Sequence, residues 1–148
     1  MLELIALVVS GFVACADFGL WLFVYPVIRH LPPRYRIEVE QRFFKRFGRI
    51  TPFLVTAPFA CILLYAFRFT RNSVANKEVW GSLFFFGAAL ALTIWLDEPA
   101  NQSLKEWNPE IPPPDWQQTR WQWAIAFGTR VFSQMAGFVL LCLAIANR

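Results

Sequence analysis

The sequence predicts an all-α fold, a four-transmembrane-helix bundle with a short amphipathic interfacial helix after the first span. The chain has 148 residues, of which 57% are hydrophobic, and a mean hydropathy of +0.41, which is more apolar than a soluble domain of this length requires. Four apolar runs approach or exceed the ~18–20 residues that cross a hydrocarbon core. They lie at about residues 2–28, 50–67, 79–96 and 121–146. Because they occupy most of the chain, we expect one integral membrane domain over residues 1–148.

The first run is predicted to be a retained span, because it is too long for a cleaved signal peptide and lacks a basic start. Its most informative residue is Asp17, near the middle. At steps of three and four residues the same helical face also carries Ser10, Ala14 and Trp21. Two interpretations of Asp17 are open at this point: a polar residue that faces a lumen or a partner helix without chemistry, or part of a functional site.

The segment after the first run is strongly basic. The Pro32-Pro33 pair ends the first span and can begin a new helix. From Ile37 onward, apolar residues alternate with bases, a pattern that favours a short helix in the headgroup plane with its bases near anionic lipid. An ordinary basic loop is the alternative. The seven basic residues are Arg29, Arg34, Arg36, Arg42, Lys45, Arg46 and Arg49.

The second and third runs complete the middle of the predicted bundle. Pro52 falls in the first turn of the second run, where a missing N–H costs nothing, whereas Pro58 lies inside it and should kink the helix. The third run is predicted to end at residue 96, because the following segment is acidic and rich in proline. We therefore expect residues 97–120 to form a loop.

The distribution of basic residues predicts the orientation of the bundle. The loops after the first and third runs carry nine Lys and Arg residues, whereas the loop after the second run and the C-terminus carry four. The positive-inside rule then puts both termini on the non-cytoplasmic side. We expect an integral protein of a bacterial inner membrane.

Arg130 lies well inside the last run, where an arginine costs about 2.5–3.5 kcal/mol on insertion scales. At 1.5 Å per residue, Arg130 lies about 14 Å from the cytoplasmic end of its span, and Asp17 about 16 Å from the cytoplasmic end of the first span. Opposite charges at nearly the same depth predict an ion pair, because either charge alone would be uncompensated.

The predicted pair implies a polar pocket in the cytoplasmic half of the bundle. Three positions share the face of Arg130 on the last span, and polar or aromatic residues of the first and third spans fall in the same half. An ion pair that only fixes helix register is the alternative to a pocket that receives a ligand. The candidate catalytic residues are Asp17 and Arg130, and the candidate ligand-binding residues are Trp21, Thr93, Asn101, Trp123, Phe127 and Gln134.

The composition disfavours several classes of chemistry. The single histidine, His30, excludes a bis-histidine haem or a multi-histidine metal centre within this chain, no Cys-x-x-Cys or Cys/His spacing suggests a metal, and no cofactor is expected. The net charge of +4 comes from loop residues, so no nucleic-acid partner is expected. Any catalysis would rest on Asp17, Arg130 and aromatic walls, which suits proton transfer from an acidic organic substrate or stabilisation of its anion.

Three short blocks, in order along the chain, carry a family resemblance. The first covers residues 11–33 and includes Phe18, Pro26 and Leu31-Pro32-Pro33. The second is Thr93-x5-Pro99-x-Asn101-x2-Leu104-x2-Trp107, and the third is Trp123-x3-Phe127-x2-Arg130. Together they resemble the family of small four-helix membrane proteins that includes the anthrone oxygenases, formerly described as a domain of unknown function.

The resemblance implies an activity as well as a fold. Characterised members of that family oxidise anthrones to anthraquinones with O2 and no evident cofactor. This chain departs from the family at Phe127, where the family usually has histidine, and the departure lowers the expectation of an enzyme. We expect a protein that binds a small hydrophobic, aromatic or quinone-like molecule in an intramembrane pocket, with cofactor-independent oxygenation as a hypothesis.

The alternative expectation is a non-enzymatic small subunit or assembly factor of a larger membrane complex. The expected partners are therefore membrane lipid, a hydrophobic small-molecule ligand, and either further copies of the chain or a larger membrane complex. Small residues on the spans would allow close helix contacts with such a partner. These residues are Gly11, Gly87, Gly128 and Gly137.

Overall fold

The computed structural model describes residues 1–69 and 76–147, and helices make up most of this part of the chain. Helix α1 is Leu2–Arg29, α2 is Pro33–Phe47 and α3 is Thr51–Phe69. Helix α4 comprises Asn76–Leu92, a π-helical turn at Thr93–Asp97 and a last segment at Glu98–Glu106, and α5 is Trp116–Ala146. No β-strand occurs in the described ranges, so the predicted all-α class is confirmed.

Helices α1, α3, α4 and α5 are long and apolar enough to cross a membrane. They pack side by side as a bundle in which α1 and α4 each contact both α3 and α5. The predicted four-helix bundle is therefore confirmed. Helix α2 is the predicted additional helix, and it begins directly after Pro32.

Both long helices that contain a π turn have a proline just beyond it. In a regular α-helix a proline ring collides with the carbonyl group four residues earlier, which is Leu22 for Pro26 and Trp95 for Pro99. These two residues lie at the centres of the π turns Leu20–Val24 and Thr93–Asp97. The wider turn displaces that carbonyl, so each helix continues past its proline. The prediction that residues 97–120 form a loop is therefore wrong for their first part, since α4 continues as a helix to Glu106.

Helix α2 packs against the end of the bundle where α1 ends and α5 begins. Its Ile37 and Glu40 are buried, and Gln41 Nε2 donates hydrogen bonds to the backbone oxygens of Leu104 and Trp107 at 2.9 and 2.8 Å. These bonds attach α2 to the segment of α4 beyond its π turn. Helix α2 therefore covers one end of the bundle.

The opposite end of the bundle, where the chain termini lie, has a close-packed apolar core. Its fully buried residues include Ala6 of α1, Ile62 of α3, Phe86 of α4 and Leu141 of α5. A Cβ atom added at Gly137 would lie 2.8 Å from the ring of Phe86, so α5 and α4 approach closely there.

The small residues expected to contact a partner protein are used within the chain. An added Cβ would meet a neighbouring aromatic side chain of this chain at 3.2 Å or less at each of the four positions. The expectation that they form a partner surface is therefore wrong, because helices of this chain already occupy them. The four positions are Gly11, Gly87, Gly128 and Gly137.

Candidate ligand-binding site around Arg130

Arg130 is held between two carboxylates. Its Nη2 lies 3.2 Å from Asp17 Oδ2, and its Nη1 donates a hydrogen bond of 2.7 Å to Asp97 Oδ2. The same Nη1 lies 3.4 Å from the hydroxyl of Thr93. The ion pair predicted from equal depths is confirmed, and Asp97 is a second partner that the sequence analysis missed.

Asp97 was missed because residues 97–120 were predicted to form a loop. In the structure Asp97 ends the π turn of α4, and only 3% of its surface is exposed. A sequence signal for it existed, because Thr93, Asp97 and Asn101 follow one another at steps of four residues. That signal is visible only if the helix is allowed to continue past Leu96.

The three charged groups do not balance. Two carboxylates face one guanidinium, and the side chains of Asp17, Arg130 and Asp97 are 18%, 9% and 4% exposed. The charge of Arg130 is already offset twice. The geometry therefore does not favour the expected stabilisation of a substrate anion by Arg130.

Towards its N-terminus from this ion cluster, α5 carries a column of two stacked rings with a cation at each end. The guanidinium carbon of Arg120 lies 4.2 Å from the ring centroid of Trp123, Trp123 stacks on Phe127 at 5.1 Å, and Arg130 lies 4.9 Å from the Phe127 ring. Cations over ring faces are attracted by the ring quadrupole. Phe127 thus serves as an apolar plate between Trp123 and Arg130, a role that needs no ring nitrogen.

A second ion cluster lies at the other end of this column. Glu40 of α2 pairs with Arg120 at 2.8 Å and with Arg36 at 3.1 Å, and these side chains are 5%, 1% and 11% exposed. Arg36 therefore packs inside the protein, and the expectation that every base of this segment lies near lipid is wrong for it. Arg34 pairs with Glu38 and Glu110. Because one carboxylate, Glu40, pairs with two bases, Arg36 and Arg120, this cluster has a surplus of one positive charge.

A cavity of about 210 Å³ lies between the two ion clusters, and its walls are mostly apolar. All five helices contribute to it: α1 from Phe12 onwards, the C-terminal halves of α2 and α4, and the N-terminal halves of α3 and α5. The predicted site residues that line it are Asp17, Thr93, Asn101, Trp123, Phe127 and Arg130.

Two candidate ligand-binding residues, Trp21 and Gln134, are not among the cavity-lining residues. The Trp21 ring packs edge-to-face on Phe132 at 5.1 Å and covers Gly128, so it lies against the side of α5. Gln134 is fully buried one helical turn beyond Arg130, and its side chain lies close to the Asp17 carboxylate. Helical spacing put both residues near the right level, but Trp21 packs against α5 and Gln134 lies beside the ion cluster, so neither forms part of the cavity wall.

Aromatic residues that the sequence analysis did not assign to the site complete its walls. Tyr25 and Phe44 each lie 5.7 Å from the Trp123 ring, centroid to centroid. Phe43 and Phe47 of α2 stack on each other at 4.4 Å and also line the cavity. The four rings come from α1 and α2, whose positions relative to α5 the sequence alone does not give.

The cavity opens towards the outer surface of the bundle. Three of its large hydrophobic lining residues are exposed: Phe12 by 67%, and Val24 and Phe47 by 39% each. Phe12 and Val24 lie on α1, and Phe47 ends α2. In a membrane this opening would face the hydrocarbon of the bilayer, so a lipid-soluble molecule could enter sideways.

Several buried polar atoms of the lining make no hydrogen bond within residues 1–69 and 76–147. They are Glu40 Oε2, Asp97 Oδ1, Asn101 Oδ1, Trp123 Nε1 and Arg130 Nε, of which Glu40 Oε2 forms an ion pair with Arg120. Buried polar groups without partners are rare in folded proteins and call for an explanation. The same ranges contain no group of three or more His, Cys, Asp or Glu residues arranged to hold a metal ion.

No protein-family model, curated protein or solved structure matches this chain. The site is therefore interpreted from its own geometry and chemistry.

Proposed function

We propose that this chain is an integral membrane protein that binds a small hydrophobic, aromatic or quinone-like molecule. The observation that carries the proposal is the aromatic-walled cavity with the Asp17–Arg130–Asp97 cluster at its inner end. Ligand sites are concave, mostly apolar and equipped with a few convergent polar groups, and this cavity has those features. The opening towards the bilayer suits a ligand that partitions into lipid.

Saturable binding tests the proposal. The protein in lipid nanodiscs would be dialysed against 1,4-naphthoquinone, with uptake by empty nanodiscs subtracted. Leu54 lines the cavity, so Leu54→Trp should fill it and weaken binding about tenfold or more, because the added ring occupies the ligand volume. The matched control is Phe53→Trp on the neighbouring residue, which is 74% exposed and does not line the cavity.

Two results would count against this proposal. One is uptake by the wild-type protein that does not exceed that of empty nanodiscs. The other is equal binding by Leu54→Trp and Phe53→Trp, which would mean that the ligand sits elsewhere.

Oxygenation of the bound molecule is the finer part of the proposal, and it comes from the family resemblance. The reaction would be anthrone plus O2 giving anthraquinone plus water, with no cofactor. O2 consumption with anthrone would be compared in membranes that contain wild-type protein, Leu54→Trp or no protein. If the wild-type rate equals that of empty membranes, the protein binds without turnover.

We also propose a bacterial inner membrane as the location, with both termini on the non-cytoplasmic side. The support for this orientation is the excess of Lys and Arg in the predicted loops after the first and third spans, where seven of the nine lie between Arg29 and Arg49. The cavity then lies in the cytoplasmic half of the membrane, with α2 at the cytoplasmic surface.

A further inference from the structure

We infer that the cavity selects a lipophilic cation, an apolar body that carries a protonated or quaternary amine and places its charge beside Asp17. This inference rests on the proposed function, because it assigns the charge of the molecule that the same cavity would hold. The balance of charges around the inner end of the cavity supports it.

With both carboxylates ionised, the cluster at that end has one negative charge in excess. Asp17 and Asp97 both face Arg130, at 3.2 and 2.7 Å, and all three residues line the cavity. An unbalanced charge in a poorly solvated site is costly unless a charge of opposite sign approaches it. A cationic ligand would supply that charge.

The other bases near the cavity do not meet this need. The charge of Arg120 also acts on Asp97, but Arg120 is paired with Glu40 at 2.8 Å and makes no ion pair with Asp17 or Asp97 among the described contacts. Lys105 lines the cavity but is exposed to solvent. Glu98 also lines the cavity, so it adds negative charge to this side.

Asp17 is the carboxylate that a ligand would reach. Its side chain is 18% exposed, against 9% for Arg130 and 4% for Asp97. The neighbouring Asp97 is buried, and its Oδ1 accepts no hydrogen bond from any described residue. A cation beside Asp17 would therefore lie near a second carboxylate oxygen that has no other described partner.

The walls suit the rest of such a ligand. The rings of Tyr25, Phe43 and Phe44 line the cavity, and aromatic faces attract organic cations. The opening at Phe12 and Val24 admits an apolar body from the bilayer. Charge at one end of the cavity and apolar surface at the other match an amphipathic molecule.

A proton is the competing way to balance the cluster. If one carboxylate carried a proton, the cluster would be neutral and a cationic ligand would gain nothing over a neutral one of the same shape. The two cases are distinguished by comparing benzyltrimethylammonium with neopentylbenzene, its neutral isostere in which carbon replaces nitrogen.

Both probes would be measured with wild-type protein in phosphatidylglycerol nanodiscs, which contain no amine lipid, with uptake by empty nanodiscs subtracted. We expect the cation to bind about tenfold tighter or more, because opposite charges attract strongly in a poorly solvated site. In Asp17→Asn the preference for the cation over neopentylbenzene should vanish. Glu110→Gln removes the same charge from an exposed residue outside the cavity and should keep the wild-type preference.

Asp97→Asn is the second variant, in case Asp17→Asn does not yield folded protein, and it should also abolish the preference. Equal binding of the two probes by the wild-type protein would overturn the cation inference and leave the proposed function standing. Binding of neither probe would overturn the cation inference, whereas the proposed function is overturned only if 1,4-naphthoquinone uptake fails as well. The measurement would be repeated with phosphatidylethanolamine in the nanodiscs. If this lipid competes with the cationic probe, the amine that the site binds is that of a lipid headgroup.

Discussion

At the scale of single residues, Arg130 determines which other side chains can occupy the centre of the bundle. A guanidinium in the membrane needs a carboxylate, and here two helices supply one each, Asp17 from α1 and Asp97 from α4. The ring of Phe127 covers its other side at 4.9 Å. Asp17 and Arg130 were predicted to meet because depth along a helix follows from counting residues. Asp97 was not predicted, because its inclusion in a helix depends on a local departure from α-helical geometry.

Removing Arg130 should destabilise the protein far more than removing either acid. In Arg130→Met two carboxylates remain buried side by side without a cation, and loss of one partner of a buried pair costs about 3–5 kcal/mol. Asp17→Asn leaves Arg130 paired with Asp97, so about 1 kcal/mol is expected, the scale of one hydrogen bond. The free energy of unfolding, measured by steric trapping in detergent micelles, checks the order.

The control for this comparison is Arg34→Met. Arg34 is paired with Glu38 and Glu110, but its side chain is 53% exposed, so the loss should stay below about 1 kcal/mol. An Arg130→Met protein as stable as Arg34→Met would show that the central cluster does not contribute to the stability of the fold.

At the scale of elements, the π turns and α2 together shape the cavity. The turn at Thr93–Asp97 lets α4 continue past Pro99, and the extension carries Asn101 to the cavity wall. The same extension supplies the two backbone oxygens that hold Gln41 of α2. Without this extension, α2 would lose the two hydrogen bonds that Gln41 donates to α4. The aromatic rings that α2 contributes to the cavity would then be held less firmly.

Gln41→Ala should loosen α2 without unfolding the bundle. The substitution removes hydrogen bonds of 2.9 and 2.8 Å to Leu104 O and Trp107 O, each worth about 1 kcal/mol. Amide hydrogen exchange in α2 should therefore accelerate about tenfold, while exchange in the spans stays slow. Gln102→Ala is the control, because Gln102 is exposed and bonds only to Glu98 among the described contacts. Equal exchange in the two variants would mean that other contacts hold α2.

At the scale of the whole molecule, the bundle is close-packed at one end and open at the other. The end near the termini has a continuous apolar core. The other end contains the two ion clusters, the ring column of α5 and the cavity, and α2 covers it. The surplus positive charge of the Arg36–Glu40–Arg120 cluster lies towards α2, and the surplus negative charge lies deeper in the bundle. This arrangement polarises the cavity along its length.

The proposed topology predicts the behaviour of reporter fusions. A phosphatase that is active only outside the cytoplasm should be active when fused after Asn147 and inactive when fused after Glu110. Green fluorescent protein, which does not fluoresce after export, should give the opposite result. An active phosphatase after Glu110 would reverse the proposed orientation.

The sequence by itself determined the helical class, the four spans and the meeting of Asp17 with Arg130. These follow from hydropathy, span length and residue counting, which are properties of single helices in a membrane. Only the tertiary structure decided that Asp97 joins the cluster, that Trp21 packs on Phe132 of α5 and that Glu40 pairs with Arg36 and Arg120 inside the protein. Those outcomes depend on how helices rotate and approach one another. Packing between elements fixes that rotation, and no single helix encodes it.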